Sequence, residues 1–88
     1  MLPGAIGDLL RWAPVYNCIC TFRQRKGRYY VTVLSAYARD YGRDRRAIFD
    51  ELIREYLPHA RQTKGSTYYR ATYDIGTVFD MIELLAND

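Results

Sequence analysis

The sequence is short of histidine, cysteine, lysine and long apolar runs, and each shortage narrows what the chain can be. His59 is the one histidine in 88 residues, and it follows Pro58 in a loop. A site that needs an imidazole base therefore has a single candidate. No G-x-S-x-G and no glycine-rich phosphate loop occurs, so nothing marks a nucleophile elbow or a nucleotide cradle. The two cysteines, Cys18 and Cys20, are next but one on a predicted strand. They share a face but lie close to ~7 Å apart, which suits a disulfide poorly. With His59 they offer three soft ligands and no C-x-x-C pair, so neither a metal nor a cofactor is expected. Free buried thiols fit a reducing compartment, and a cytoplasmic location is expected. No apolar run approaches the ~18 residues of a membrane-spanning helix. The start MLPGAIGDLL lacks the basic region and cleavage site of a signal peptide.

What remains is the composition of one small domain, residues 1–88, with 49% hydrophobic and 26% charged residues. A chain of this size buries roughly two-thirds of its unfolded surface around one core. It is rich in arginine and tyrosine, with eleven Arg against two Lys, and nine Tyr. The net charge of +3 is uneven: residues 1–46 carry +6 and residues 47–88 carry −3. Arg23, Arg25, Lys26 and Arg28 form the densest cluster, and Arg39, Arg43, Arg45 and Arg46 a second. Guanidinium groups fork onto phosphate and stack on bases, so the clusters read either as polyanion contacts or as a solvated turn and helix start.

Periodicity gives the elements. Pro3 suits the first turn of a helix over residues 3–12, with Ala5, Ile6, Leu9, Leu10 and Ala13 on one stripe. Residues 15–23 alternate as a strand, with Tyr16, Cys18, Cys20 and Phe22 as the core face. RQRKG reads as a turn, and residues 28–38 as a second strand with Tyr29, Val31 and Val33 opposed to Arg28, Tyr30 and Thr32. Asp40 or Asp44 is expected to cap a helix whose stripe is Ile48, Phe49, Leu52, Ile53, Tyr56 and Leu57, ended by Pro58. Its acids Asp50, Glu51 and Glu55 are expected on the solvated face. Residues 60–64 and 67–74 read as a second hairpin around Gly65-Ser66. Thr77 and Asp80 look like a capping box for a last helix that carries Val78, Phe79, Ile82 and Leu85 on its core face. The fold class is α+β: a single antiparallel sheet of three to four strands, helices packed on one face, order α-β-β-α-β-β-α.

That order resembles one half of a LAGLIDADG homing endonuclease. Leu2, Gly4 and Ile6 fall where that family's signature helix has L-x-G-x-I, and residues 45–57 and 66–85 look like its helix–hairpin–helix end. The resemblance covers nearly the whole chain in pattern. It implies a saddle-shaped sheet that lies in the DNA major groove. It also implies signature helices packed together at small residues, and a helix-end acid that holds a divalent cation. In this register the acidic position is Leu9, and the acid, Asp8, stands one residue earlier. About 100° of helical rotation separates the two, so cleavage is not expected and no catalytic residue is assigned.

The expected function is a small nucleic-acid-binding module, DNA rather than RNA, without catalysis. Its site residues are Arg23, Arg28, Tyr30, Thr32 and Arg70 on the open sheet face, with Arg25 and Lys26 at the basic hairpin tip. Gly4, Ala5 and Gly7 are the expected contact of a homodimer. The alternative is a protein-binding factor. In size and style the chain looks like what phages and mobile elements encode against host or defence complexes, as anti-CRISPR proteins do. Exposed Tyr and Arg suit a protein interface equally well.

Overall fold

A computed structural model describes residues 2–36 and 40–87, with backbone only at positions 40 and 41. Among these residues the chain forms α1 (Gly4–Trp12), β1 (Cys18–Arg25), β2 (Arg28–Ser35), α2 (Asp40–Tyr56), β3 (Arg61–Gln62), β4 (Arg70–Thr77) and α3 (Val78–Ala86). The sheet is antiparallel throughout, in the order β1-β2-β4-β3. This is the expected α+β architecture. No helix among the described residues is long and apolar enough to cross a membrane.

The β1–β2 hairpin closes through Lys26 and Gly27 alone, at φ 50° and 77°. Both residues are left-handed, as a tight turn between right-twisted strands requires. The basic tip is therefore a two-residue turn, and Arg23 and Arg25 belong to the strand. Alternation then sorts the side chains. Phe22 opposes Val31, which opposes Tyr73, and Cys20 opposes Val33, which opposes Ala71. This face meets Ile6 and Leu9 of α1 and Phe49 and Ile53 of α2, with Leu57 just beyond, in one buried cluster. The molecule measures 38 × 25 × 17 Å. The shortest extent suits one helix layer on one sheet, since layers pack about 10 Å apart.

Several expectations are corrected. Residues 13–16 form a 3₁₀ turn, so β1 begins at Cys18 rather than at Val15. Pro14 favours that turn, and Asn17 exits it at φ 57°. β4 spans Arg70–Thr77 instead of 67–74. Thr67 takes the Arg70 N–H on its own hydroxyl at 3.2 Å, and Ser66 Oγ takes that of Thr72 at 3.1 Å. Such local bonds hold the preceding residues in a loop. The strand gains its far end by bulging at Ile75, opposite Tyr29 and Tyr30. Asp44 lies inside α2 and does not cap it. Residues 37 and 38, the expected end of β2, lie outside the described residues.

Two electrostatic readings also change. Arg46 is 2% exposed and cannot serve as a surface contact. Its guanidinium donates to Ser35 Oγ (2.7 Å), to the Tyr68 carbonyl (2.8 Å) and to Asp50 (3.1 Å). Asp50 turns inward, where it also accepts the Tyr73 hydroxyl at 2.8 Å. Burial and that bond to a carboxylate push the Tyr73 phenol well above its ordinary range. α3 packs through Met81 and Leu84. The predicted stripe is turned outward, with Phe79 77% and Ile82 56% exposed.

Candidate functional site

The sheet face away from the helices is organised in cross-strand rows. Ile19, Leu34 and Arg70 form one row. Thr21, Thr32 and Thr72 form the next, and the Thr63 N–H extends it by bonding the Thr72 carbonyl at 2.8 Å. Arg23, Tyr30, Asp74 and Arg61 form the third, and Arg25 opposes Arg28 beyond it. One end of the face is thus apolar, the middle is hydroxylic and the hairpin end is cationic. Directly opposed side chains lie about 4.5–5.5 Å apart, so each row is a continuous surface.

The site residues expected from sequence all belong to this face or its rim, but they do different things. Arg23, Arg25, Lys26 and Tyr30, with Thr63 and Thr72, line a groove of about 350 Å³. Arg23 lies over the Tyr30 ring, its Cζ 5.8 Å from the centroid. Thr32 is only 6% exposed and meets the Thr72 hydroxyl at 3.3 Å. It stiffens the groove floor and is not open to a ligand. Arg28 forks onto Asp74 at 2.8 and 3.2 Å. The Arg28 bonds, helped by the Gly76 N–H, draw the Asp74 carboxyl below its usual range, while partial burial opposes them. Arg28 therefore anchors β2 to β4. Arg70 stands at the opposite, apolar end beside Leu34.

Arg61, Thr63, Thr72 and Asp74 were absent from the sequence-derived set. Thr72 and Asp74 share the parity of Arg70 and were within reach of the alternation argument. Arg61 and Thr63 were not, because β3 has two residues and its partner strand is fixed only by the fold. In the second basic cluster, Arg43 lies over the Tyr68 ring at 5.1 Å and Arg45 donates to the Val15 carbonyl. Arg39 lies outside the described residues.

A second recess adjoins the groove and shares Thr63 with it. It has a volume of about 560 Å³ and is lined by residues 58–63 with Arg28, Asp74, Gly76 and Asp80. Asp80 caps α3: its Oδ2 accepts the Thr77 N–H at 2.7 Å and the Thr77 hydroxyl at 3.2 Å. The backbone bond holds the Asp80 carboxyl low, against a smaller desolvation effect. The remaining predicted residues lie away from this face. Cys18 and Cys20 are free thiols against the core, and burial pushes Cys20 up to about 11. Asp8 pairs with Arg11 one turn along α1. Ala5 packs partly against the core, and a side chain added at Gly7 would meet open space.

The fold and this surface define a class by architecture: a two-layer α+β domain with one open sheet face, basic at the hairpin end. Comparisons with protein-family models, curated proteins and solved structures give no match to this chain.

Proposed function

We propose that the domain binds nucleic acid in the groove of the open sheet face. The observation that carries this reading is the groove lining: Arg23, Arg25 and Lys26 around Tyr30, over a floor of threonine hydroxyls. Guanidinium and ammonium groups neutralise phosphates, the phenol ring stacks on a base, and threonines bond to sugar or phosphate oxygens. The resemblance to a homing-endonuclease half agrees with using the sheet this way, with DNA as the favoured ligand. The domain acts by binding and not by cleavage, as a homodimer through the α1 surface at Gly4, Ala5 and Gly7.

Fluorescence anisotropy with duplex and single-stranded oligonucleotides tests the reading. With the three groove cations on phosphates, log K falls against log salt with a slope of about −3 on duplex. The double variant Arg23→Glu/Arg25→Glu loses binding and keeps its fold, because both side chains are exposed. Unchanged binding in that variant would overturn the proposal.

A second reading is favoured by α3. Phe79, Ile82 and Val78 present an apolar patch to solvent, the kind of surface that docks on protein. On this reading the chain inhibits a host protein or defence complex, as an anti-CRISPR protein does. It predicts no affinity for oligonucleotides and a stoichiometric complex in pull-downs that Phe79→Lys abolishes.

A further inference from the structure

Beyond the groove, the recess at the β3 edge carries a group of donors with a chemistry of its own. His59 leaves the loop after α2, and Asp80 and Glu83 leave the first two turns of α3. One donor atom from each lies within 4.8 Å of the others. The loop and the helix are eighteen or more residues apart in the chain, so no local turn propensity accounts for the meeting.

We propose that His59, Asp80 and Glu83 bind a divalent transition-metal ion, Zn²⁺ before Mn²⁺. The donor set is one imidazole and two carboxylates, which suits Zn²⁺ or Mn²⁺ better than the all-oxygen preference of Mg²⁺ or Ca²⁺. Around an ion with bonds of about 2.0–2.2 Å, donors stand about 3.0–3.5 Å apart. His59 and Glu83 are exposed, so rotamer changes close the remaining gap without moving backbone.

Asp80 is also preorganised. Asp80 is held by the Thr77 N–H through Oδ2, and its second oxygen is not needed for that bond. Gly76 lies so close beneath it that an added Cβ would stand 2.7 Å from both Cβ and Cγ of Asp80. One ligand is thus fixed by the helix cap and the glycine, leaving two to adjust.

Arg28 and Arg61 face Asp74 and Asp80 in the recess, with Glu83 beside Asp80. The three carboxylates outnumber the two guanidinium groups, and Arg28 is already committed to Asp74, so the local field favours a cation. Three protein ligands leave at least one coordination position for water or for an oxygen of a bound molecule.

The test uses metal alone on the full chain, so it is independent of nucleic-acid binding. Mn²⁺ is titrated into ¹⁵N-labelled protein. The expected result is saturable paramagnetic broadening centred on the amides of His59, Asp80 and Glu83. Zn²⁺ reverses it, and equimolar Mg²⁺ does not. His59→Ala and Glu83→Gln, both at exposed positions, each weaken Zn²⁺ binding by calorimetry about tenfold or more and leave the remaining spectrum unchanged. Glu55→Gln, exposed on α2, has no effect. Broadening spread over all surface carboxylates overturns the proposal. So does reversal by Mg²⁺ as readily as by Zn²⁺, or unchanged affinity in both variants. Failure here leaves the groove reading intact, and loss of oligonucleotide binding in Arg23→Glu/Arg25→Glu leaves the metal site intact.

Discussion

Arg46 holds a guanidinium against a serine hydroxyl, two backbone carbonyls and a carboxylate in a space closed to solvent. A buried charge is tolerated only when paired and hydrogen-bonded, and here four partners from β2, α2 and the 68–69 segment supply that. Arg46→Leu is expected to destabilise by about 3–5 kcal/mol, because Asp50 and two carbonyls lose their donor. Arg43→Leu, at an exposed position over Tyr68, is expected to cost about 1 kcal/mol or less. Urea unfolding of the two variants measures the difference, and equal costs would refute the assignment. Cys20 sets a second expectation. Burial, then the neighbouring Cys18, raises its thiol from 9.0 to about 11. A group raised on folding contributes stability that is complete below pH 9 and lost as pH rises toward 11. Thiolate absorbance and alkylation by iodoacetamide should therefore lag those of a free thiol until that window. Reaction at the rate of an unfolded control would contradict the burial.

Among the elements, α3 shows where a periodic pattern stops deciding. Its nine residues carry apolar side chains on two faces, Phe79 with Ile82 and Met81 with Leu84. Periodicity identifies the helix but not which face is covered. The entry from β4 decides: Gly76 at φ 113° and the Thr77–Asp80 cap set the rotation at which the helix leaves the sheet. Phe79→Ser should accordingly change stability by no more than about 0.5 kcal/mol, a shift thermal unfolding can bound. Gly76→Ala should cost well over 1 kcal/mol, since it combines an unfavourable φ with a clash against the capping carboxylate. Comparable melting temperatures for the two would show the helix to be oriented otherwise. The strands behaved differently. Alternation read over residues 15–23 and 28–38 placed Cys18, Cys20, Phe22, Tyr29, Val31 and Val33 on the core side, because a strand has only two faces.

For the whole molecule, the pairing of β2 with β4 changes the meaning of the charge split. The basic first half and the acidic second half are interleaved in one sheet, so the field is not divided by hemisphere. What survives is local: Asp74 is taken up by Arg28, and Arg23, Arg25 and Lys26 remain around the groove. The surface of α1 near Gly7 bears on assembly. Among the described residues nothing meets a side-chain carbon added at Gly7, so Gly7→Arg is expected to leave the fold intact and to shift a dimer to monomer in sedimentation equilibrium. An unchanged mass would remove the α1 dimer.

The sequence by itself determined the order of elements, the inward faces of β1 and β2, a turn at Gly27 and the α3 cap. These depend on neighbours within a few residues, where two-fold and 3.6-fold periods and local capping suffice. Only the tertiary structure decided that Arg46 is internal, that Arg28 is paired with Asp74 forty-six residues away, and that Arg61 and Thr63 complete the open face. It alone brought His59 to Asp80 and Glu83. Those meetings follow from strand order and register, which a one-dimensional pattern does not encode.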